Sequence, residues 1–176
     1  MDFKKGYIDG AQKDVQSITA DWIIKQEMIK GVVVREIKSV PKMNGCLTEI
    51  WRQDWGLDEM KVDQIFQVVL NPGGISAWHV HMETTDRLFV SQGMVNIALY
   101  DAREDSPTFG KVNTFKYGSR RAGILVIPPG VWHGVQNIDA SPSVVLNIVD
   151  DAYRYESPDH WRLPEDTEKI PYKLKK

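Results

Sequence analysis

Short β-prone segments recur along most of this chain and constrain its fold more than any other feature. Between Gly31 and Asp150, runs of four to seven residues rich in Val, Ile, Phe and Tyr alternate with Gly, Pro, Asn, Asp or Ser. The predicted strands cover residues 32–37, 47–52, 65–70, 87–90, 95–100, 111–117, 124–127, 132–136 and 144–149. Many short strands at spacings of about 8–12 residues are typical of a β-sandwich or a β-barrel. The pattern therefore predicts an all-β domain.

The two ends of the chain differ from this central region. Apolar side chains recur with a helix-like spacing within residues 14–30, at Val15, Ile18, Trp22, Ile23 and Met28. We therefore predict a short N-terminal helical segment in residues 1–30, ahead of a β-barrel in residues 31–150. Residues 151–176 are more polar and contain three prolines, so we expect a tail that wraps around the surface.

Size and charge limit the classes of partner. The 176 residues suit a single domain, and the net charge of −2 with no basic stripe argues against binding to nucleic acid or anionic membranes. No apolar run reaches the ~18 residues of a membrane span, and residues 1–10 lack a signal-peptide core. Cys46 is the only cysteine, so no intrachain disulfide can form. We expect a cytoplasmic protein that binds a small molecule.

Three of the four histidines belong to a two-part pattern. The first part is Gly73…His79-Val80-His81…Asp86…Gly93, and the second is Pro128-Pro129-Gly130-Val131-Trp132-His133…Asn137. Strand side chains alternate between faces, so His79 and His81 point to the same side, where His133 and Asp86 complete a pocket. The set His79, His81, Asp86 and His133 suits iron, manganese, nickel, zinc or copper. Alternatively, His79 acts as a base without metal, or the pocket is an inert polar cluster.

The residues beside this pattern have simpler interpretations. Trp78 and Trp132 each precede a histidine of the pattern, so alternation directs them to the opposite face of the sheet. Trp132 is nevertheless kept as a candidate for substrate contact. His160 is predicted to be a surface residue.

The two-part pattern resembles the motifs of the cupin superfamily, which are small β-barrels of the jelly-roll type. A narrower resemblance, over about residues 31–170, is to the dTDP-4-dehydrorhamnose 3,5-epimerases, nucleotide-sugar enzymes with a cupin fold. It is carried by residues 44–51, by Asp101-Ala102-Arg103-Glu104-Asp105-Ser106-Pro107-Thr108-Phe109-Gly110, and by residues 127–134. The resemblance implies a jelly-roll fold, a homodimer, a nucleotide-linked 4-keto sugar as substrate and no metal.

The resemblance also implies roles for individual residues. His79 matches the catalytic base, and Arg87 stands where the family has a lysine that stabilises the enolate oxygen. His133 matches a histidine that contacts the substrate, and Glu49 matches an acidic residue near the nucleotide. Tyr153 or Tyr155 lies near the aromatic residue that stacks on the nucleobase, and one of them, or a water, would serve as the acid.

The chain departs from the family at three functional positions. Ser76 replaces a substrate-binding arginine, and the aspartate that partners the base has no obvious match. Asn147 replaces the tyrosine that acts as the acid, and it is kept as a candidate for substrate contact. His81 and Asp86, in turn, are residues that a metal-free epimerase does not need. Three functions therefore remain open: an epimerase of a 4-keto sugar, a metal-dependent cupin oxygenase, isomerase or lyase, and a non-catalytic sugar-binding cupin.

Overall fold

The computed structural model describes residues 6, 8–21, 24–58 and 61–174. Within them the secondary structure consists of strands and one 3-10 turn, Gln53–Trp55. The strands are β1 (Val33–Glu36), β2 (Val40–Lys42), β3 (Gly45–Leu47), β4 (Gln64–Leu70), β5 (Ile75–Val80), β6 (Asp86–Gln92), β7 (Met94–Asp101), β8 (Val112–Gly118), β9 (Gly123–Ile127), β10 (Val131–Asn137), β11 (Ser143–Val149) and β12 (Trp161–Arg162). The all-β prediction is confirmed.

Ten strands form two antiparallel sheets that pack face to face. The first sheet has the order β1-β9-β6-β11-β4, the second has the order β12-β5-β10-β7-β8, and β2 and β3 form a separate hairpin. Apolar side chains from both sheets, among them Leu88, Leu125, Ile97 and Val135, share one buried core. In the part of the chain that the structure describes, no helix is long and apolar enough to cross a membrane.

One predicted strand is wrong. Residues 47–52 alternate between apolar and polar side chains, but β3 ends at Leu47 and pairs only with β2. Residues 48–52 pair with no other strand in the described chain. Arg52 instead forms local ion pairs with Glu49 and Asp54. Alternation favours a strand, but a strand also needs a neighbour that completes its hydrogen bonds.

The predicted N-terminal helix is also wrong for the residues that can be compared. Residues 8–21 and 24–30 contain no helix, and Trp22 and Ile23 lie outside the described residues. Tertiary contacts override the periodicity, because the barrel takes the backbone groups that a helix would use. The Ile29 N–H donates to Asn113 Oδ1 at 2.8 Å, and Asn113 Nδ2 donates to the Glu27 carbonyl at 3.0 Å. This segment therefore lies along the barrel as an extended strap, residues 24–30.

Asp101 holds the turn in which the Asp101–Gly110 signature lies. Its carboxylate is fully buried and accepts hydrogen bonds from Arg103, from the Ser106 hydroxyl at 2.6 Å and from the Thr108 hydroxyl at 2.6 Å. Burial raises the pKa of Asp101, but these hydrogen bonds together outweigh it and hold the pKa well below its usual range. Thr108 in turn accepts the Lys30 N–H at 2.9 Å. The signature thus fixes the strap to the barrel.

The C-terminal segment is part of the fold as well as a surface tail. Strand β12 pairs with β5, with Trp161 opposite Val80 and Arg162 opposite His79. Further along, Ile170 and Leu174 are buried with Trp78 and Ala98 in a second apolar cluster. The segment thereby covers the outer face of the second sheet and places residues 158–162 beside β5.

Candidate active site

A cavity of about 380 Å³ opens between the two sheets. Its wall from β4 and β11 is largely apolar, with Phe66, Val68 and Val145 among its members. The opposite end is polar and contains all four histidines, together with Asp86 and Asn147. This combination of an apolar wall and a few converging polar groups is typical of a small-molecule site.

His79 lies at the polar end, opposite His133 in the register of β5 and β10. A bulge in this pairing lets Ser76 line the cavity together with His79. Ser76 Oγ lies 3.0 Å from His79 Nε2, while His79 Nδ1 lies 2.6 Å from His160 Nε2. Burial, followed by the nearby positive charges that His133 and His160 can carry, lowers the pKa of His79 to about 3. His79 is therefore neutral near pH 7, as a base must be.

His160 lies in the cavity, so the prediction that it is a surface residue is wrong. It is brought there by Asp159, whose carboxylate accepts the backbone N–H groups of Met82, Glu83 and Thr84. The pKa of His160 is lowered to about 4, mainly because burial disfavours its charged form. The two histidines are 81 positions apart in sequence, and no local spacing reveals their contact.

His81, Asp86 and His133 form a separate cluster in which three ligand atoms lie within 4.8 Å of one another. Asp86 Oδ2 lies 3.6 Å from His81 Nε2 and 3.4 Å from His133 Nε2. Each ring directs its Nδ1 to a backbone carbonyl, that of Asp159 for His81 and that of Val131 for His133. Each Nε2 lone pair therefore faces the same carboxylate oxygen, which is how metal-ligating histidines are held.

This cluster contains three of the four predicted metal ligands. His79 is not part of it, because its two ring nitrogens face Ser76 and His160. Burial is the largest cause that lowers the pKa of His133, so its imidazole is neutral. Two imidazoles and one carboxylate are a donor set that fits a divalent transition metal.

Arg87 is not in the cavity, which removes the basis for its predicted role at the enolate oxygen. Its neighbour Asp86 points inward from β6, so alternation directs Arg87 to the other face. There the guanidinium is almost fully buried and pairs with Asp58 at 2.7 Å and with Asp150 at 3.4 Å. These contacts indicate a structural role.

The remaining predicted residues divide between the cavity and its surroundings. Tyr153 lines the cavity, whereas Tyr155 is 87% exposed and lies outside its wall. Glu49 also lies outside and pairs with Arg52 on the surface. Trp132 packs beside Trp78 on the outer face of the second sheet, as alternation predicts, and is therefore not placed to contact a substrate in the cavity.

Asn147 lines the cavity beside the cluster of His81, Asp86 and His133. Its Nδ2 donates to Asp86 Oδ1 at 2.6 Å, and its Oδ1 accepts the Arg87 N–H at 3.0 Å. Both ends of the amide are thus occupied. An amide does not titrate near neutral pH, so Asn147 orients Asp86 and does not supply a proton.

Comparisons with a family model and with known proteins indicate the family to which this chain belongs. The family model of dTDP-4-dehydrorhamnose 3,5-epimerase matches residues 26–174. A probable low-salt glycan biosynthesis epimerase of Haloferax volcanii is 36% identical over 139 residues, which cover 78% of this chain and 89% of that protein. A spore coat polysaccharide biosynthesis protein of Bacillus subtilis is 33% identical over 143 residues, which cover 81% and 94% respectively.

A solved structure agrees with this comparison. The dTDP sugar isomerase of Desulfovibrio desulfuricans superposes with a TM-score of 0.77 at 28% identity, over 83% of this chain and 92% of that one. The two sheets described above therefore form the jelly roll that the resemblance to cupins implied, and that prediction is confirmed.

Proposed function

Because the chain belongs to the dTDP-4-dehydrorhamnose 3,5-epimerase family, and is thus an isomerase, we propose that it epimerises a nucleotide-linked 4-keto sugar. The observation that carries the proposal is the place of His79, whose imidazole lies at the polar end of a cavity in a chain of this family. The apolar wall suits a deoxy sugar, and the cavity volume of about 380 Å³ suits a small molecule.

The proposed reaction begins with removal of a proton from a carbon next to the ketone. His79 Nε2 takes this proton, and the electron pair of the C–H bond moves through the carbon–carbon bond to the ketone oxygen, which gives an enolate. His79 Nδ1 lies 2.6 Å from His160 Nε2, and we propose the tautomer in which His79 Nδ1–H is the donor, because it leaves Nε2 free to accept the proton. The Ser76 hydroxyl holds Nε2 until the substrate displaces it.

The second half of the reaction returns a proton to the opposite face of the same carbon. Tyr153 is the tyrosine that lines the cavity within the described residues. We therefore propose Tyr153, or a water that it holds, as the acid, and we assign no such role to Tyr155. Return of the proton collapses the enolate to the ketone with inverted configuration.

His81, Asp86 and His133 are proposed to hold a divalent metal next to this base. When bound there, a cation would act as a Lewis acid on the ketone and so make its α-proton more acidic. Since His79 lies outside the ligand set, the same cavity keeps a free base beside the metal ligands. The three donors converge on one point without a hydrogen bond between them, which is the observation that supports a cation.

The proposed function predicts hydrogen exchange with solvent. Incubation with a dTDP-4-keto-6-deoxy sugar in heavy water is expected to place deuterium at C3 or C5, read by NMR or mass spectrometry. dTDP-glucose is the matched control, because it lacks the ketone that makes the neighbouring proton acidic. A 4-keto sugar that acquires no deuterium in excess of the enzyme-free reaction would contradict the proposal.

The metal proposal predicts a specific pattern of metal content. Elemental analysis after incubation with iron, nickel or zinc is expected to find about one ion per chain in the wild-type protein. Asp86→Ala is expected to lose the ion, because it removes the carboxylate shared by both histidines. His79→Gln is the matched control and is expected to keep it. A wild-type protein that retains none of the three metals would refute the site.

We also propose that the chain forms a homodimer through strand β4. This strand lies at the edge of the first sheet, and its outward side chains Ile65 and Val69 are 61% and 55% exposed. An exposed apolar edge strand is prone to pair with another chain. We therefore expect Val69→Lys to shift the protein toward the monomer in sedimentation velocity. Thr114→Lys, at an exposed position of β8 on the edge of the other sheet, is expected to change nothing.

If Val69→Lys sediments like the wild-type protein, β4 is not the interface. A wild-type protein that is monomeric at micromolar concentration would reject the dimer itself.

A further inference from the structure

Among the residues that the structure describes, Arg162 differs from the other arginines in that its side chain has no partner. All eight arginines lie within the described residues. Arg35 stacks on Trp55 at 4.3 Å. Carboxylates pair with six others: Arg52, Arg87, Arg103, Arg120, Arg121 and Arg154. For Arg162, no ion pair, side-chain hydrogen bond or ring contact is found in the described chain. An unpaired guanidinium at a cavity is suited to bind an anion.

The position of Arg162 relates it directly to the proposed base. It lies opposite His79 in the antiparallel pairing of β12 and β5, so both side chains leave the sheet on the same face. Arg162 lines the cavity but is exposed, whereas His79 is buried. The guanidinium therefore lies nearer the mouth of the cavity than the imidazole does.

The carboxylates around the cavity are already engaged, so none competes for Arg162. Asp159 accepts three backbone N–H groups, and Asp86 lies between His81 and His133. Asp151 pairs with Arg154 at 3.2 Å. Arg154, the other arginine of the cavity wall, also pairs with Glu83 at 2.6 Å. Among the described arginines of the cavity wall, Arg162 thus remains available to a ligand.

We infer that Arg162 binds the diphosphate of the nucleotide-linked sugar, an inference that rests on the proposed function. In such a substrate the diphosphate joins the sugar to the nucleoside. When the sugar lies at His79, the diphosphate therefore lies nearer the mouth of the cavity. A guanidinium presents paired N–H donors that match phosphate oxygens.

The test compares three ligands that differ in charge, by titration calorimetry on the full chain. We expect dTDP and inorganic pyrophosphate to bind the wild-type protein, and Arg162→Gln to weaken both by about 10–100-fold, as loss of hydrogen bonds to a charged group predicts. Thymidine affinity is expected to stay unchanged. Arg162→Lys should recover part of the loss, since it keeps the charge but not the paired donors. Arg120→Gln, which removes a surface arginine paired with Asp139, is the control.

Three results would overturn the inference. They are dTDP affinity within twofold of wild type in Arg162→Gln, an equal loss of thymidine and dTDP binding, and a wild-type protein that binds neither dTDP nor pyrophosphate. Solvent exchange on a 4-keto sugar is measured separately, so the two ideas fail independently. Exchange with unchanged dTDP affinity in the variant would support the function alone, whereas pyrophosphate binding that depends on Arg162 without exchange would support the anion site alone.

Discussion

Replacement of His79 with Asn is expected to lower the rate of solvent exchange on a 4-keto sugar by about 10²–10⁴-fold, the range typical for loss of a general base. Asn fills a similar space but cannot take a proton. The expected effect is large because the Nε2 atoms of His81 and His133 face Asp86 and are not directed to the place that His79 Nε2 leaves.

The measurement is the rate of deuterium incorporation for the wild-type protein and for His79→Asn under the same conditions. Trp161→Asn is a matched control, because this side chain is 58% exposed and is opposite Val80 on the neighbouring strand. Calorimetry with dTDP verifies that the variant still binds nucleotide. A variant that exchanges within tenfold of wild type while binding dTDP normally would show that His79 is not the base.

Alternation along the strands predicted much of the site. It brought His79, His81, Asp86 and His133 to one cavity, although His79 lies outside the cluster of the other three, and it directed Trp78 and Trp132 to the opposite face. The same rule could have corrected the role proposed for Arg87. Asp86 and Arg87 are adjacent on one strand, so only one of them can point into the cavity.

Contacts between distant segments could not be predicted in this way. His160 reaches His79 because Asp159 is anchored on the backbone of residues 82–84. Nothing in the local sequence around His160 records that anchor, since its partners are main-chain N–H groups that any residue would offer. Arg162 reaches the cavity for the same reason, through the pairing of β12 with β5.

The fold shows the same division between local pattern and long-range contact. Most strand positions followed from alternating apolar residues and turn residues. The helix prediction for the strap failed because a helix-like spacing of apolar residues carries no information about Asn113 and Thr108. These two side chains lie more than 75 positions away in sequence and accept the backbone N–H groups of the strap. The Asp101–Gly110 signature therefore matters for stability as well as for family membership, since Thr108 depends on Asp101.

Asp101→Ala is accordingly expected to lower the free energy of unfolding by about 3–5 kcal/mol, the range for removing one member of a buried ion pair. The substitution leaves Arg103, Ser106 and Thr108 without their shared acceptor. The Thr108 hydroxyl, which accepts the Lys30 N–H, is then no longer fixed by Asp101. Chemical denaturation measures the change. Asp105→Ala is the matched control, because this carboxylate lies in the same turn but is exposed, and we expect less than about 0.5 kcal/mol there.

The pH dependence tests the same carboxylate in a second way. Because the pKa of Asp101 is lowered in the folded protein, its charged form stabilises the fold fully above the pKa of the unfolded chain, about 3.9. That stabilisation is lost as the pH falls from there toward the lower folded pKa. The difference in stability between wild type and Asp101→Ala should therefore be constant above about pH 5 and shrink below pH 4. A difference that does not change between pH 7 and pH 3 would mean that packing, and not the charge of Asp101, holds the turn and the strap in place.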